Sequence, residues 1–343
     1  MPNAYVSGLG MYMPPDVVTN QDLIDRYGIA TDNAWIVQRT GIEARRFAQE
    51  GVNASDMGAI AARRAIEAAG LQNHDIDMIL FATLSPDMAF PGCGVVIQAM
   101  LGMGEGDNPR LVPAMDIRNQ CSGFIYGLAT ARAYVQSGMA KHVLVVGAEV
   151  HSAALELSTK GRTVASLFGD GAGAAIVSAT DEDRGIRGAW LGADGRYAEV
   201  LCQKVWDMRK RPFLKINEEG WGMTPPEEMW AHMEGKTVFK HAVEKMIGCL
   251  MQGCWEQKIT TNDIDLFVFH QANMRINQYI QQTLGLPDSK VVHNIQKFGN
   301  TTAATIPTLL CEAVDEGKLK RGMKVACVAF GSGFTWGCTI IDW

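Results

Sequence analysis

Asp75-Ile-Asp-Met-Ile-Leu-Phe81 recurs later in the chain as Asp263-Ile-Asp-Leu-Phe-Val-Phe269. In each copy an Asp-Ile-Asp segment leads into a short, uninterrupted apolar run. That pattern reads as the end of a helix feeding a strand buried on both faces. A second pair follows in the same order: residues 138–147 (GMAKHVLVVG) parallel residues 322–331 (GMKVACVAFG). The two matches share one register to within a small insertion or deletion, so the spacing predicts an internal duplication. A chance likeness between buried strands is the alternative that the sequence leaves standing. Duplication predicts two halves, 1–180 and 181–343, packed about a pseudo-twofold axis and joined near residues 179–185 (ATDEDRG). Equivalent loops of the two halves would then meet at the centre.

The remaining elements alternate in the same way. Residues 55–69 carry apolar side chains at helical spacing, with Ser55 as the expected N-cap. Residues 78–82, 143–147 and 325–329 read as buried strands, and the alternation predicts a layered α/β protein. The chain of 343 residues is 47% hydrophobic, enough for one large core or two fused ones. A net charge of -6 excludes the basic footprint of a nucleic-acid-binding protein. No apolar run reaches the roughly 18 residues of a membrane span. Residues 1–10 lack the basic segment and apolar stretch of a secretory signal. The eight cysteines, at 93, 121, 202, 249, 254, 311, 327 and 338, form no C-x-x-C pair. We therefore expect no disulfide framework and no metal site, but reduced thiols in a cytoplasmic protein. Most of these cysteines would serve as small buried hydrophobes.

Residues 197–233 have no clean period. They hold Trp206, Trp221, Trp230, Met208, Met223, Met229 and Met233, with Pro225-Pro226 and a basic run, Arg209-Lys210-Arg211. Long loops of this kind are often lids or binding loops; a surface excursion anchored by its aromatics is the other reading.

Three polar residues stand where buried elements meet loops. Cys121, in DIRNQCSGFIYGLATARAYVQSG, falls between an expected strand ending at Ile117 and an expected helix over 122–135. At a helix N-terminus, free N–H groups favour a thiolate and can bind an oxyanion. His270 ends the second copy of the duplicated strand, and Asn300 lies at a glycine turn entering a helix rich in small residues (KFGNTTAATIP). An inert core cysteine, a satisfied core histidine and a plain N-cap are the alternatives for these three. The glycines of 169–174 (GDGAGA) precede a strand and no helix, which excludes a dinucleotide fingerprint and predicts close backbone packing. The backbone amides of Gly331-Ser332-Gly333 could reach a reacting carbonyl as an oxyanion hole.

Six segments in order, WIVQRTGI (35–42), DIRNQCSGFIYGL (116–128), FGDGAGAAIV (168–177), FVFHQAN (267–273), KFGNTTAATIP (297–307) and AFGSGFTWG (329–337), resemble the motifs of β-ketoacyl-acyl-carrier-protein synthase III, a condensing enzyme of the thiolase superfamily. The resemblance runs from Val6 to the C-terminus. It implies a duplicated α-β-α-β-α thiolase fold working as a homodimer. It also implies an acyltransferase joining an acyl-coenzyme A to malonyl-acyl-carrier protein in fatty acid biosynthesis, with no tightly bound cofactor and coenzyme A thioester as substrate. Cys121, His270 and Asn300 match the catalytic triad: Cys121 the nucleophile, the other two the donors to an enolate. The backbone N–H groups of Cys121 and Ser332 match the oxyanion hole. Trp35 and Arg162 match residues on the two faces of the coenzyme's adenine. Arg39 and Arg275 match basic residues near its phosphates or the carrier protein. Phe90 matches a residue inserted into the partner subunit's acyl pocket.

Relatives with the same triad differ elsewhere. Plant-like polyketide synthases carry proline where this chain has Gly333-Phe334-Thr335-Trp336, hydroxymethylglutaryl-coenzyme A synthases use a glutamate base, and head-to-head acyl-joining enzymes place a glutamate at the position of Phe90. A ketosynthase of specialised metabolism, making a quinolone, pyrone or polyketide precursor, would keep every motif quoted. The long Trp- and Met-rich 197–233 segment departs from compact bacterial members and points toward an acyl group larger than acetyl. A cysteine hydrolase and a non-catalytic dimeric module are the rivals from other classes.

Overall fold

A computed structural model of the chain describes residues 1–107, 109–204 and 229–343. The chain begins with β1 (Asn3–Tyr12), β2 (Asp16–Thr19), α1 (Asn20–Tyr27), α2 (Asn33–Thr40), β3 (Ala44–Phe47), α3 (Ala54–Ala68), β4 (Met78–Ala82), α4 (Cys93–Met100), β5 (Ala114–Ile117), α5 (Gly123–Gln136), β6 (His142–Glu149), α6 (Arg162–Ala165) and β7 (Gly171–Thr180). It continues with β8 (Gly185–Ala193), β9 (Leu201–Cys202), β10 (His232–Met233), α7 (Gly235–Glu256), β11 (Leu266–Phe269), α8 (Met274–Leu284), α9 (Ile295–Phe298), α10 (Thr305–Asp315), β12 (Lys324–Gly331) and β13 (Thr335–Asp342).

The strands form two main sheets, ordered β1-β7-β6-β4-β5 and β11-β12-β13-β8. Pairing is parallel for β4/β6 and antiparallel for β6/β7 and β7/β1. It repeats as parallel β11/β12, then antiparallel β12/β13 and β13/β8. Even β5 has a remnant counterpart, since Val291 bridges Phe267 in the parallel sense. One detail of the expected duplication is corrected. Met78 pairs with Val143 and Leu266 with Val325, so Val143 corresponds to Val325. Sequence likeness had matched Val143 to Cys327, two residues further on. A slip of two keeps every side chain on its own face, so apolar patterning cannot detect it.

The repeated Asp-Ile-Asp has a physical role in both halves. The expected helix ends are single 3-10 turns, Asn73–Asp75 and Thr261–Asp263. They are held by the first aspartate, whose carboxylate accepts the Gln72 N–H in one half and the Thr260 N–H in the other, each at 2.7 Å. The second aspartate fastens the neighbouring strand. Asp77 accepts the His142 N–H at 2.9 Å and Asp265 the Lys324 N–H at 2.7 Å. These capping-box contacts fix the start of each turn and so the entry to the strand that follows.

Buried strands need cover on both faces. Alternate residues of the two sheets supply three apolar clusters. Phe124, Leu128 and Val135 of α5 pack with Ile306, Leu309 and Leu310 of α10 between Leu80 and Val145 of one sheet and Val268 and Cys327 of the other. Met57, Ala61 and Ile97 of α3 and α4 cover Ile79 and Phe81 on the outer face. Met246, Leu250 and Ile280 of α7 and α8 cover Phe267 and Phe269 on the opposite outer face. The layers are therefore α-β-α-β-α.

Two smaller expectations resolve locally. The cap of α3 is Asn53 rather than Ser55: the Asn53 N–H donates to Asp56 Oδ2 at 2.8 Å, while the Ser55 hydroxyl donates to Asp87. Of the 197–233 segment, β9 and β10 pair antiparallel at its base. Trp206, Met208, the 209–211 run, Trp221, Met223 and Pro225-Pro226 lie outside the described residues. All eight cysteines are free. Among the described residues no helix is long and apolar enough to cross a membrane.

Candidate active site

The pseudo-twofold packing brings two 3-10 turns together, Gln120–Ser122 at the head of α5 and Thr302–Ala304 at the head of α10. Each opens on a residue at positive φ, Gln120 at 44° and Thr302 at 51°. Cys121 sits in the first turn, 8% exposed, so the expected strand-to-helix position holds. The end of β12 lies directly against it. A Cβ on Gly331 would stand 2.9 Å from the Cys121 Cβ and 3.0 Å from its N, closer than real contacts allow. Gly331→Ala is therefore expected to displace Cys121 and, if Cys121 is the residue acylated, to slow its acylation by about 10²-fold, the cost of misplacing a reacting group by about 1 Å. Rapid-quench measurement of acyl incorporation checks this; a wild-type rate would remove the close-approach requirement. The glycines of 169–174 also pack as expected, a Cβ on Gly173 overlapping Pro307 of α10 at 2.8 Å.

Three donors favour the charged form of the Cys121 sulfur: the Cys121 N–H, the Thr302 hydroxyl and the Ser332 N–H. Burial nevertheless pushes the thiol up to about 12, and the negative charge of Glu149 acts in the same direction. The helix N-terminus expected to favour a thiolate is thus outweighed by desolvation in the free protein. Glu149, at the end of β6, accepts from the Thr83 and Ser85 hydroxyls at 3.1 and 2.6 Å and from the Leu84 and Ser85 N–H groups. Burial raises its carboxyl to about 7 against the pull of these donors.

His270 follows β11 directly, its N–H donating to Val328 O at 2.8 Å. The imidazole is buried, and burial holds it down to about 3, so it is neutral. Nδ1 lies 2.7 Å from the Thr305 hydroxyl, while Nε2 is buried with no partner. A buried imidazole nitrogen without a partner is a costly arrangement, and it marks a position where a ligand atom can bond. The Thr305 hydroxyl also lies 3.0 Å from Thr302 O. When it donates to Nδ1, Nε2 carries the proton and is a donor; when it donates to Thr302 O, Nε2 is an acceptor.

Asn300 is locked at both ends. Its N–H donates to Leu167 O at 2.8 Å, and its C=O accepts from the Gly169 N–H at 3.1 Å. The Thr302 N–H donates to Oδ1 at 2.8 Å. An N–H can only donate, so the amide oxygen must face it, and the Nδ2 end is left to donate elsewhere. Thr302 is the hub of the cluster. Its N–H orients Asn300, its carbonyl meets Thr305, and its hydroxyl lies 2.6 Å from His151 Nε2 and favours the charged form of the Cys121 sulfur.

Trp35, Arg39 and Arg162 also come together. The guanidinium groups of Arg39 and Arg162 lie 4.4 and 5.2 Å from the Trp35 ring centroid. Asp32 caps α2 by accepting the Trp35 N–H at 2.7 Å, and Arg162 donates to Ala30 O at 2.8 Å. Asn273 donates to Arg39 O at 3.0 Å, which ties the head of α8, with Arg275 on its first turn, to the end of α2. Phe90 is not part of either group. It is 85% exposed, in the loop before α4. Ser332 is half-buried, its hydroxyl donating to Leu201 O at 2.6 Å.

Sequence reasoning missed Glu149, His151, Thr302 and Thr305. One signal was available for the first two: polar residues that end the apolar run VLVVGAEVH, just as His270 ends the run of β11.

A buried cysteine at the head of a helix, a buried imidazole and an oriented carboxamide on a doubled α-β-α-β-α frame are features of a condensing enzyme of the thiolase type. Residues 115–195 match the family "3-Oxoacyl-[acyl-carrier-protein (ACP)] synthase III", and residues 254–343 match its C-terminal domain. The structure is similar to 3-oxoacyl-[acyl-carrier-protein] synthase III from Aquifex aeolicus VF5, with 36% identity over 99% of this chain and 100% of that one and a TM-score of 0.86. It is equally similar to β-ketoacyl-[acyl carrier protein] synthase III from Thermus thermophilus, with 36% identity, 99% of both chains and a TM-score of 0.87. A third similar structure is the priming β-ketosynthase of the R1128 polyketide pathway, at 29% identity over 99% of this chain and 96% of that one, TM-score 0.86. The chain belongs to the 3-oxoacyl-[acyl-carrier-protein] synthase III family of condensing acyltransferases.

Proposed function

We propose that the chain carries out a decarboxylative Claisen condensation between an acyl-coenzyme A and malonyl-acyl-carrier protein through an acyl-Cys121 intermediate, giving a β-ketoacyl product for fatty acid biosynthesis. The observation that carries this reading is the packing of the turn that holds Cys121 against the 302–304 turn and the end of β12, in a fold that also buries a neutral imidazole with an unpartnered Nε2, His270, and an oriented asparagine, Asn300. Cys121 attacks the donor thioester, and its N–H with that of Ser332 stabilises the tetrahedral oxyanion. Coenzyme A leaves as the thiol. The malonyl thioester then binds with its carbonyl oxygen toward His270 Nε2 and Asn300 Nδ2. Loss of carbon dioxide places negative charge on that oxygen. Both groups are neutral and buried, so they stabilise the charge without reorganising water. The enolate carbon attacks acyl-Cys121, and the cysteine is released.

In this reading Trp35 and Arg162 take the adenine of coenzyme A between them, and Arg39 and Arg275 meet its phosphates or the acidic carrier protein. The protein works as a homodimer in which Phe90 enters the partner's acyl pocket. Support comes from β5, an edge strand of the larger sheet, and from the exposed side chains of Phe90, Leu111 and Met88 on the adjoining loops. Residues 1–180 form the half with the nucleophile and 181–343 the half with its partners, acting in a cytoplasm that keeps the cysteines reduced.

A second reading, a specialised-metabolism ketosynthase with a longer or unusual acyl donor, is favoured by the similarity to the R1128 enzyme and by the 197–233 segment. The described end of that segment, Trp230 to Met233, lines a cleft of about 180 Å³ together with Gly161, Thr163 and Val164, beside Arg162. One experiment covers both readings and their rivals. The protein is incubated with a panel of labelled acyl-coenzyme A donors and malonyl-acyl-carrier protein. A β-ketoacyl product is expected, with acylation faster for medium or branched donors than for acetyl, and Trp230→Ala is expected to change that ratio. Free acid alone would instead indicate a hydrolase, and no turnover a binding module. An acetyl preference unaffected by Trp230→Ala would return the protein to the short-chain primary pathway.

A further inference from the structure

We infer that Thr302 and His151 form a second arm on the nucleophile, in which His151 Nε2–H orients the Thr302 hydroxyl so that it donates to the Cys121 sulfur and stabilises the thiolate. The inference rests on Cys121 being the nucleophile of the proposed reaction. His151 and Thr302 come from different halves of the fold and are both buried, with Nε2 and Oγ1 2.6 Å apart. The turn that carries this hydroxyl packs against the turn that carries Cys121, and the hydroxyl favours the charged form of the sulfur. Thr302 has φ of 51°, in the left-handed region that a β-branched residue rarely occupies. A glycine would hold this turn with less strain but would bring no hydroxyl.

His151 is itself positioned. Its N–H donates to Asp170 Oδ1 at 2.7 Å, and its ring packs on Phe168 at 4.6 Å between centroids. Asp170 is held in turn by the N–H groups of Ala48 and Ser152 and the Ser152 hydroxyl. Burial holds the His151 imidazole down to about 3, so it stays neutral and orients the hydroxyl without adding charge. Neutral imidazole has one N–H; placed on Nε2 it donates to Oγ1 and leaves the threonine proton for sulfur. The charge of Glu149, at the end of β6, acts against the thiolate, and His270 joins the array through Thr305. His151 touches no reacting atom and acts through Thr302. It is a positioning residue.

The test reads the thiol directly. Cys121 alkylation by iodoacetamide is followed against pH by peptide mapping, in wild type and in Thr302→Val, Thr302→Ser, His151→Phe and His151→Gln, with thermal unfolding as the check on folding. Thr302→Val keeps the shape and removes the hydroxyl. It is expected to lower the alkylation rate across the accessible pH range by about tenfold, the loss of thiolate at a given pH that follows from losing a hydrogen bond to a charged acceptor. His151→Phe is expected to move it in the same direction. Thr302→Ser and His151→Gln, which keep a hydroxyl and a donor, are expected to restore most of the wild-type profile. Wild-type profiles in both folded Thr302→Val and folded His151→Phe would overturn the inference. If Thr302→Val does not fold, the His151 pair decides alone: equal profiles for His151→Phe and His151→Gln would overturn it. The proposed function fails by a different result, acyl groups mapping to a residue other than Cys121, which this alkylation series does not use.

Discussion

His270→Ala and Asn300→Ala are each expected to lower decarboxylation of malonyl-acyl-carrier protein by about 10²–10³-fold, the usual cost of losing one preorganised donor to a developing oxyanion. Acylation of Cys121 by acyl-coenzyme A is expected to fall much less. The asymmetry follows from geometry. In the proposed mechanism the acylation oxyanion meets the backbone N–H groups of Cys121 and Ser332, which neither substitution removes. The enolate oxygen would meet the His270 Nε2 and Asn300 Nδ2 ends, of which each substitution removes one. The two half-reactions are measured separately, carbon dioxide release from the malonyl thioester on one side and protein mass gain on the other. Equal losses in both would sink the division of labour and make His270 chiefly the base for the thiol.

The pH range of that comparison matters. Burial holds the His270 imidazole down to about 3, well below its ordinary 6.5. Between these values the unfolded chain takes up a proton that the folded protein refuses, so the contribution to stability is complete above pH 6.5 and is lost as pH falls through the folded value. His151 has the same sign and the same range. Comparisons near pH 7 therefore find both imidazoles neutral.

The second large effect is at Cys121. Cys121→Ser is expected to abolish acyl uptake from acyl-coenzyme A, leaving no thioester-linked mass on intact protein and no acyl peptide on mapping. The other seven thiols do not share the setting. Cys249, Cys254, Cys327 and Cys338 are buried, three of them in the cluster beneath α7, and Cys93 bonds to Asp87. Serine keeps the position and the hydrogen bonds but is a poorer nucleophile without a matched base. Undiminished acyl uptake by the serine variant would end the assignment of Cys121.

The long apolar runs and the Asp-Ile-Asp repeat were enough to place β4, β6, β11 and β12 and to predict two halves, because a strand covered on both faces must be apolar throughout. Spacing also placed Cys121 at the head of α5 and His270 at the end of β11, since the change from apolar run to polar residue happens within the chain itself. The strand-pairing offset was not legible to closer than two residues, because a two-residue slip preserves the faces.

The amino-acid sequence by itself determined the doubled layered fold, the family and the three residues most exposed to local reading. Only the tertiary structure decided how those residues are held. The Thr302 bond to His151 joins the two halves across 151 residues of chain, and no local pattern encodes it. The state of the thiol is decided in the same way. A helix N-terminus is a local feature that favours a thiolate, whereas burial is collective, produced by β12 and the 302–304 turn packing on Cys121 from elements far apart in sequence, with the charge of Glu149 acting in the same direction. Periodicity and turn chemistry act over a few residues and can be read from a chain; desolvation and long-range hydrogen bonds exist only once the halves have packed.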